Sequence, residues 1–138
     1  FPTRRSSDLR GTGRIINIAS ETGKSWGVKR TAYSTCKAGV IGFTRSLSHE
    51  LAGSGVSVVA VCPGVMLNED RVRSWPEEQR NSPADAPEND VLHHAMQHVS
   101  AGRASIPEEV ANLVAFLATE AGSYIQGTAV SAGGGLSD

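Results

Sequence analysis

The stretch "SETGKSWGVKRTAYSTCK" places a serine at Ser20, a tyrosine thirteen residues on at Tyr33 and a lysine four beyond that at Lys37. These three side chains are suited to moving a proton to or from an oxygen. On a helix, Tyr33 and Lys37 are i, i+4 and share a face. A tyrosine hydroxyl with an ordinary pKa near 10 is a weak acid–base group at neutral pH. An ammonium about 4 Å away, at an effective dielectric near 20, favours a phenolate by about 4 kcal/mol, or about three pKa units. A serine hydroxyl beside them can hold and polarise a carbonyl or alcohol oxygen. The trio therefore fits carbonyl reduction or alcohol oxidation. No side chain carries a hydride, so that chemistry requires a cofactor. A Tyr-x3-Lys pair by itself equally describes a surface tyrosine beside a solvated lysine. Placement decides between the two.

The placement comes from the elements around the trio. "GRIINIAS" (Gly13–Ser20) is a short apolar run rich in β-branched residues. It reads as a strand buried on both faces, as in a parallel sheet. Residues 21–30 are polar and form a loop. From about Thr31 the pattern turns helical, with Val40, Phe43, Leu47 and Leu51 at steps of three and four. Gly53 and Gly55 end that helix. "VSVVAVCPG" (Val56–Gly64) is a second buried strand, stopped by Pro63. Strand, helix and strand make a βαβ unit with an expected right-handed crossover. Ligands of parallel α/β sheets bind at the strand C-terminal edge. Ser20 ends the first strand, and the helix carrying Tyr33 and Lys37 starts back near that edge.

Residues 66–105 differ in character, with Pro76, Pro83 and Pro87, three of the four histidines and many charges. A long, weakly periodic excursion of this kind reads as a lid over a site. Within it, "DVLHHAMQHV" (Asp90–Val99) has the pattern of a short amphipathic helix. "IPEEVANLVAFLAT" (Ile106–Thr119) is a clear helix, with Pro107 in its first turn and Glu108 and Glu109 favouring its positive end. "GTAVSAGGG" (Gly127–Gly135) gives a last short strand and a glycine turn. "GTG" at Gly11–Gly13 is a loop, because it precedes a strand, whereas a dinucleotide fingerprint follows one.

Composition limits the classes. The 138 residues suit one domain and one core. A net charge of −1 gives no electrostatic case for nucleic acid. No apolar run approaches the roughly 18 residues of a membrane span, and no signal-peptide pattern opens the chain. Cys36 and Cys62 lack CxxC spacing and read as reduced, buried thiols of a cytoplasmic protein. Cys36 reads as a small residue packed on the sheet rather than a reactive thiol beside a cation. His94 and His98 share a helical face, with His93 adjacent, but no third ligand accompanies them, so no metal site is assigned. Trp26 and Trp75 either border the substrate pocket or pack under loops. "FPTRRSSDL" (Phe1–Leu9) reads as a translated sequencing-adapter scar rather than a native arm, and is set apart from the fold.

Taken in order, "GRIINIAS", "YSTCK", "CPG", "PEEVANLVAFLAT" and "GSYIQGTAVSAGGG" resemble the C-terminal half of a short-chain dehydrogenase/reductase. The resemblance covers about Arg10–Asp138. It implies the C-terminal part of an α/β, Rossmann-like, doubly wound parallel sheet, with a substrate lid at about 66–105. It implies hydride transfer between NAD or NADP and a small alcohol/ketone substrate, in a parent that is a homodimer or homotetramer. Tyr33 becomes the catalytic acid/base. Lys37 becomes its electrostatic partner and a ligand of the nicotinamide ribose, and Ser20 the donor to the substrate oxygen. Pro63, Gly64 and Val65 would line the nicotinamide. Where the family carries a threonine five residues after the proline, this chain has Asn68, which keeps donor and acceptor capacity. The family's "DGG" reads "SAGGG" here. Its glycine-rich phosphate loop and catalytic asparagine would lie upstream, so the chain alone is expected to be inactive. The competing reading is a non-catalytic binding or assembly module of the same family.

Overall fold

The computed structural model of the chain describes residues 11–25, 27, 29–67, 73 and 97–136. In chain order these form β1 (Gly13–Ile18), α1 (Thr31–Glu50), β2 (Val56–Pro63), α2 (Pro107–Ala118) and β3 (Ala129–Ala132). Single 3-10 turns lie at Glu21–Gly23 and Glu120–Gly122. The strands form one parallel sheet in the order β1-β2-β3. Ile18 is level with Val61, and Pro63 with Ala132. All three strands therefore finish close together, at one edge. This is the α/β architecture expected, in its partial Rossmann-like form.

β2 sorts its side chains by the period of two that a pleated strand imposes. Ala60 and Cys62 pack with Ala19 and Ile41 on the α1 side. Val59 and Val61 pack with Leu117 on the α2 side, joined by Leu113, Val114 and Ile125. Small residues face α1 and larger ones face α2, so the α1 backbone lies close to the sheet. Leu117 is 1% exposed and anchors the second layer. Burying a leucine of this kind contributes about 1.5–3 kcal/mol.

Two sequence expectations need correction, and a third lies mostly outside the described residues. β2 is buried over Val56–Cys62, but β1 is only half-buried and Ile18 is exposed. The cause is position, because among the described residues β1 has a neighbouring strand on one side only. The buried residues of α1 are Ile41, Thr44 and Ser48, one step away from the expected stripe, of which Val40 packs against the same cluster at the sheet. Phe43 of that stripe is 55% exposed. Thr44 stays satisfied by donating to the Val40 carbonyl at 2.8 Å and accepting from Asn17 of β1 at 3.0 Å. Of the helix expected over Asp90–Val99, only 97–99 are described, and they form a turn and a bridge to Leu136.

α2 begins as expected. Pro107 occupies the first turn, and Glu109 accepts from the Ile106 N–H at 3.0 Å. Arg103 also grips Glu109 through two hydrogen bonds. That pair, with the Ile106 N–H, holds the Glu109 carboxyl down at about 2. No described helix is long and apolar enough to cross a membrane.

Candidate active site

The site begins where β1 runs out. Ala19 still bonds to β2, its N–H donating to the Val61 carbonyl at 2.8 Å. Ser20 is extended (φ −167°, ψ 154°) and caps the 3-10 turn that follows. Its Oγ accepts from the Thr22 N–H at 3.3 Å and lies 3.1 Å from Thr22 Oγ1. That turn can seat itself on α1 only because residue 23 is glycine. A Cβ there would lie 2.8 Å from the Lys37 carbonyl carbon. The contact brings the serine turn against the helix segment that carries Tyr33 and Lys37.

Lys37 closes the arrangement from the helix side. Its Nζ donates to the Ile18 carbonyl at 2.9 Å, tying α1 to the end of β1. The same ammonium lies 5.7 Å from the centroid of the Tyr33 ring. The Arg30 guanidinium lies 5.8 Å from that centroid. Two cations thus flank one ring at cation–π distance. Tyr33 is 45% exposed.

The third wall is the turn after β2. The Gly64 N–H donates to the Ala132 carbonyl at 3.1 Å. A Cβ at Gly64 would lie 2.7 Å from Gly133 Cα, so the backbones after β2 and β3 meet without side chains between them. Ser105 then fixes Val65, donating to its carbonyl from the backbone at 2.9 Å and from Oγ at 3.1 Å. Ser20, Tyr33, Lys37, Pro63, Gly64 and Val65 all line one cleft of about 280 Å³. Six residues singled out in the sequence therefore share one surface.

Other sequence candidates fare differently. Asn68, Trp26, Trp75, His93 and His94 lie outside the described residues. Cys36 is exposed on α1, not packed on the sheet, since the inner face belongs to Ile41, Thr44 and Ser48. Cys62 is fully buried, and burial pushes its thiol up. Among the described residues, no group of three His, Cys, Asp or Glu could hold a metal ion. Sequence reasoning missed Arg30, although its place three residues before Tyr33 on a helical path is a signal that could have found it. It also missed Glu21 and Ser105, whose partners are remote in sequence.

Three parallel strands between helices, with polar groups gathered at the strand C-termini, make a partial Rossmann-like α/β domain. A family model described as enoyl-(acyl carrier protein) reductase matches residues 5–137. The chain belongs to the short-chain dehydrogenase/reductase family. Acetoacetyl-CoA reductase from Rhizobium meliloti is 37% identical over 126 residues, covering 91% of this chain and 47% of that protein. The 3-oxoacyl-(acyl-carrier-protein) reductase from Aquifex aeolicus is 40% identical over 124 residues, covering 90% and 45%. Among solved structures, L-sorbose reductase from Gluconobacter frateurii, complexed with NADPH and L-sorbose, matches with a TM-score of 0.76 at 27% identity. That match covers 94% of this chain and 49% of the other. The chain thus spans about half the length of the relatives it matches.

Proposed function

We propose that the protein carrying these residues reduces the ketone of a 3-oxoacyl thioester, or oxidises the matching alcohol, with NAD(P)(H). The observation that carries this reading is the common cleft of Ser20, Tyr33, Lys37 and the Pro63–Val65 turn. The names of the relatives from Rhizobium meliloti and Aquifex aeolicus favour the thioester over other ketones.

The residues fit the nicotinamide end of such a cofactor. Gly64 meets Gly133 with no side chain between them, and Lys37 presents an ammonium at the cleft wall. Pro63, Gly64 and Val65 would line the ring, Lys37 would hold the ribose, and Asn68 would add a polar contact. When bound, the cofactor supplies the hydride that no side chain can carry. In this reading Ser20 Oγ donates to the substrate oxygen and fixes its position. Tyr33 Oη delivers a proton to that oxygen as negative charge develops on it. Lys37 and Arg30 place two cations beside the Tyr33 ring, 5.7 and 5.8 Å from its centroid.

The test is oxidation of NADPH and NADH by the complete protein with acetoacetyl-CoA, compared with simple ketones and ketoses. The thioester is expected to give the highest kcat/KM with at least one of the cofactors. Turnover of ketoses alone would overturn the substrate class, and turnover of no carbonyl compound would overturn the reading as an enzyme.

A further inference from the structure

Glu21 immediately follows Ser20, yet it takes no part in the chemistry above. It is 7% exposed, and Oε1 is buried without a hydrogen-bond partner among the described residues. Its nearest cation is Lys24, whose Nζ lies 3.7 Å from Oε1. Lys24 in turn donates to Ser131 Oγ at the end of β3. A buried carboxylate with so loose a partner costs stability, and such groups call for an explanation.

Gly133 provides one. In the Gly133–Gly135 run, Gly134 and Gly135 have left-handed φ values of 63° and 74°, which favour glycine. Gly133 does not. Its need for glycine is therefore one of space. The three atoms nearest a Cβ built there all belong to Glu21: Cγ at 2.9 Å, Cδ at 3.2 Å and Oε1 at 3.4 Å. The Glu21 carboxylate thus fills the volume that a side chain at residue 133 would take. In the "DGG" pattern the last two glycines correspond to Gly134 and Gly135, so the acidic residue falls at 133. The Glu21 carboxylate, from the residue beside Ser20, thus occupies the space that an aspartate at 133 would need.

We propose that Glu21 is a positioning residue for Ser20. Seated on Gly133 and facing Lys24, its carboxylate locks the turn after Ser20 against the end of β3. The turn is then held on both sides, by Gly23 on the α1 backbone and by Glu21 on Gly133. This rests on the reading of Ser20 as the donor to the substrate oxygen.

The experiment is a double-mutant cycle in the complete protein with Glu21→Ala, Gly133→Asp and the pair. Glu21→Ala is expected to lower kcat about tenfold, as a slightly displaced catalytic group does, with cofactor affinity unchanged. Gly133→Asp alone drives its Cβ into Glu21 and is expected to lower the urea midpoint. The pair, in which the new carboxylate occupies the vacated space, is expected to regain kcat to within about threefold of wild type. If Gly133→Asp does not fold, recovery of folding and kcat in the pair carries the same support. A pair no more active than Glu21→Ala overturns the proposal, as does Glu21→Ala with kcat within twofold of wild type. Ser20→Ala run alongside keeps the two readings apart. Full turnover there overturns the role of Ser20 and this proposal with it. Loss there, with Glu21→Ala unaffected, overturns this proposal alone.

Discussion

The sheet has a hollow at each end, and the larger one lacks the chemistry. At the N-terminal end of the strands, Thr12, Arg14, Gly55, Ser57, Glu120 and Gln126 surround about 640 Å³. At the C-terminal end the cleft of Ser20, Tyr33 and Lys37 holds about 280 Å³. The ion pair of the larger hollow, Arg14–Glu120 at 3.1 Å, uses a glutamate side chain that is 93% exposed. Such a pair is worth about 0.2–1 kcal/mol. At the smaller cleft, a serine and a carboxylate are both more than nine-tenths buried, and two cations flank one tyrosine. At the other end Ser57 is as deeply buried as Ser20 but accepts from the Arg14 guanidinium at 3.1 Å, whereas Glu21 Oε1 has no hydrogen-bond partner among the described residues. A buried carboxylate oxygen left without a hydrogen bond, beside a serine and two cations, distinguishes the proposed site better than volume does.

Substitutions at the two ends should diverge accordingly. Ser20→Ala is expected to lower kcat 10²-fold or more in steady-state assays of the complete protein, while Arg14→Met changes it less than twofold. Equal effects would erase the distinction between the ends. Next in size is the shared support of both ends. Leu117→Ala should cost about 2–5 kcal/mol in urea denaturation, with kcat retained below the transition. A cost under about 1 kcal/mol would mean that the α2 layer is not the anchor described.

Acid should separate the two ends as well. Glu109 is held at about 2 against an ordinary 4.5, so the native state binds its proton less readily than the unfolded state does. The stabilisation from its pairing with Arg103 is present above pH 4.5 and is lost as pH falls through that range toward 2. Glu109→Gln should therefore flatten the dependence of the urea midpoint on pH between about 5 and 2. An unchanged slope would remove the pair from the account. Smallest of all is the surface pair at the other end, where Glu120→Ala should shift stability by under about 1 kcal/mol, and less at high salt.

Much of this contrast was legible in the sequence. β2 reads directly from its unbroken apolar run, and α2 from Pro107, its two glutamates and its periodicity. The Ser20, Tyr33 and Lys37 trio is legible because helical spacing and strand ends are local properties. β1 looks like β2 in composition, but whether a strand is central or at an edge depends on its neighbours. The sheet-facing side of α1 was hidden because Thr44 and Ser48 are polar residues whose burial depends on partners, one of them Asn17 in β1. Glu21 could not be read at all, since Gly133, the residue that gives it room, is more than a hundred positions away.

The central claim is that Tyr33 delivers the proton in a cleft that binds cofactor and ketone together. Tyr33→Phe keeps the ring and removes only the hydroxyl. Single-turnover oxidation of NADPH or NADH by the complete protein, at saturating acetoacetyl-CoA, reads the chemical step, and fluorescence titration of the same variant reads cofactor affinity. The account predicts a loss of 10²-fold or more in the chemical step with cofactor affinity within about threefold of wild type. A rate within tenfold of wild type, or a loss explained wholly by weaker cofactor binding, would contradict it.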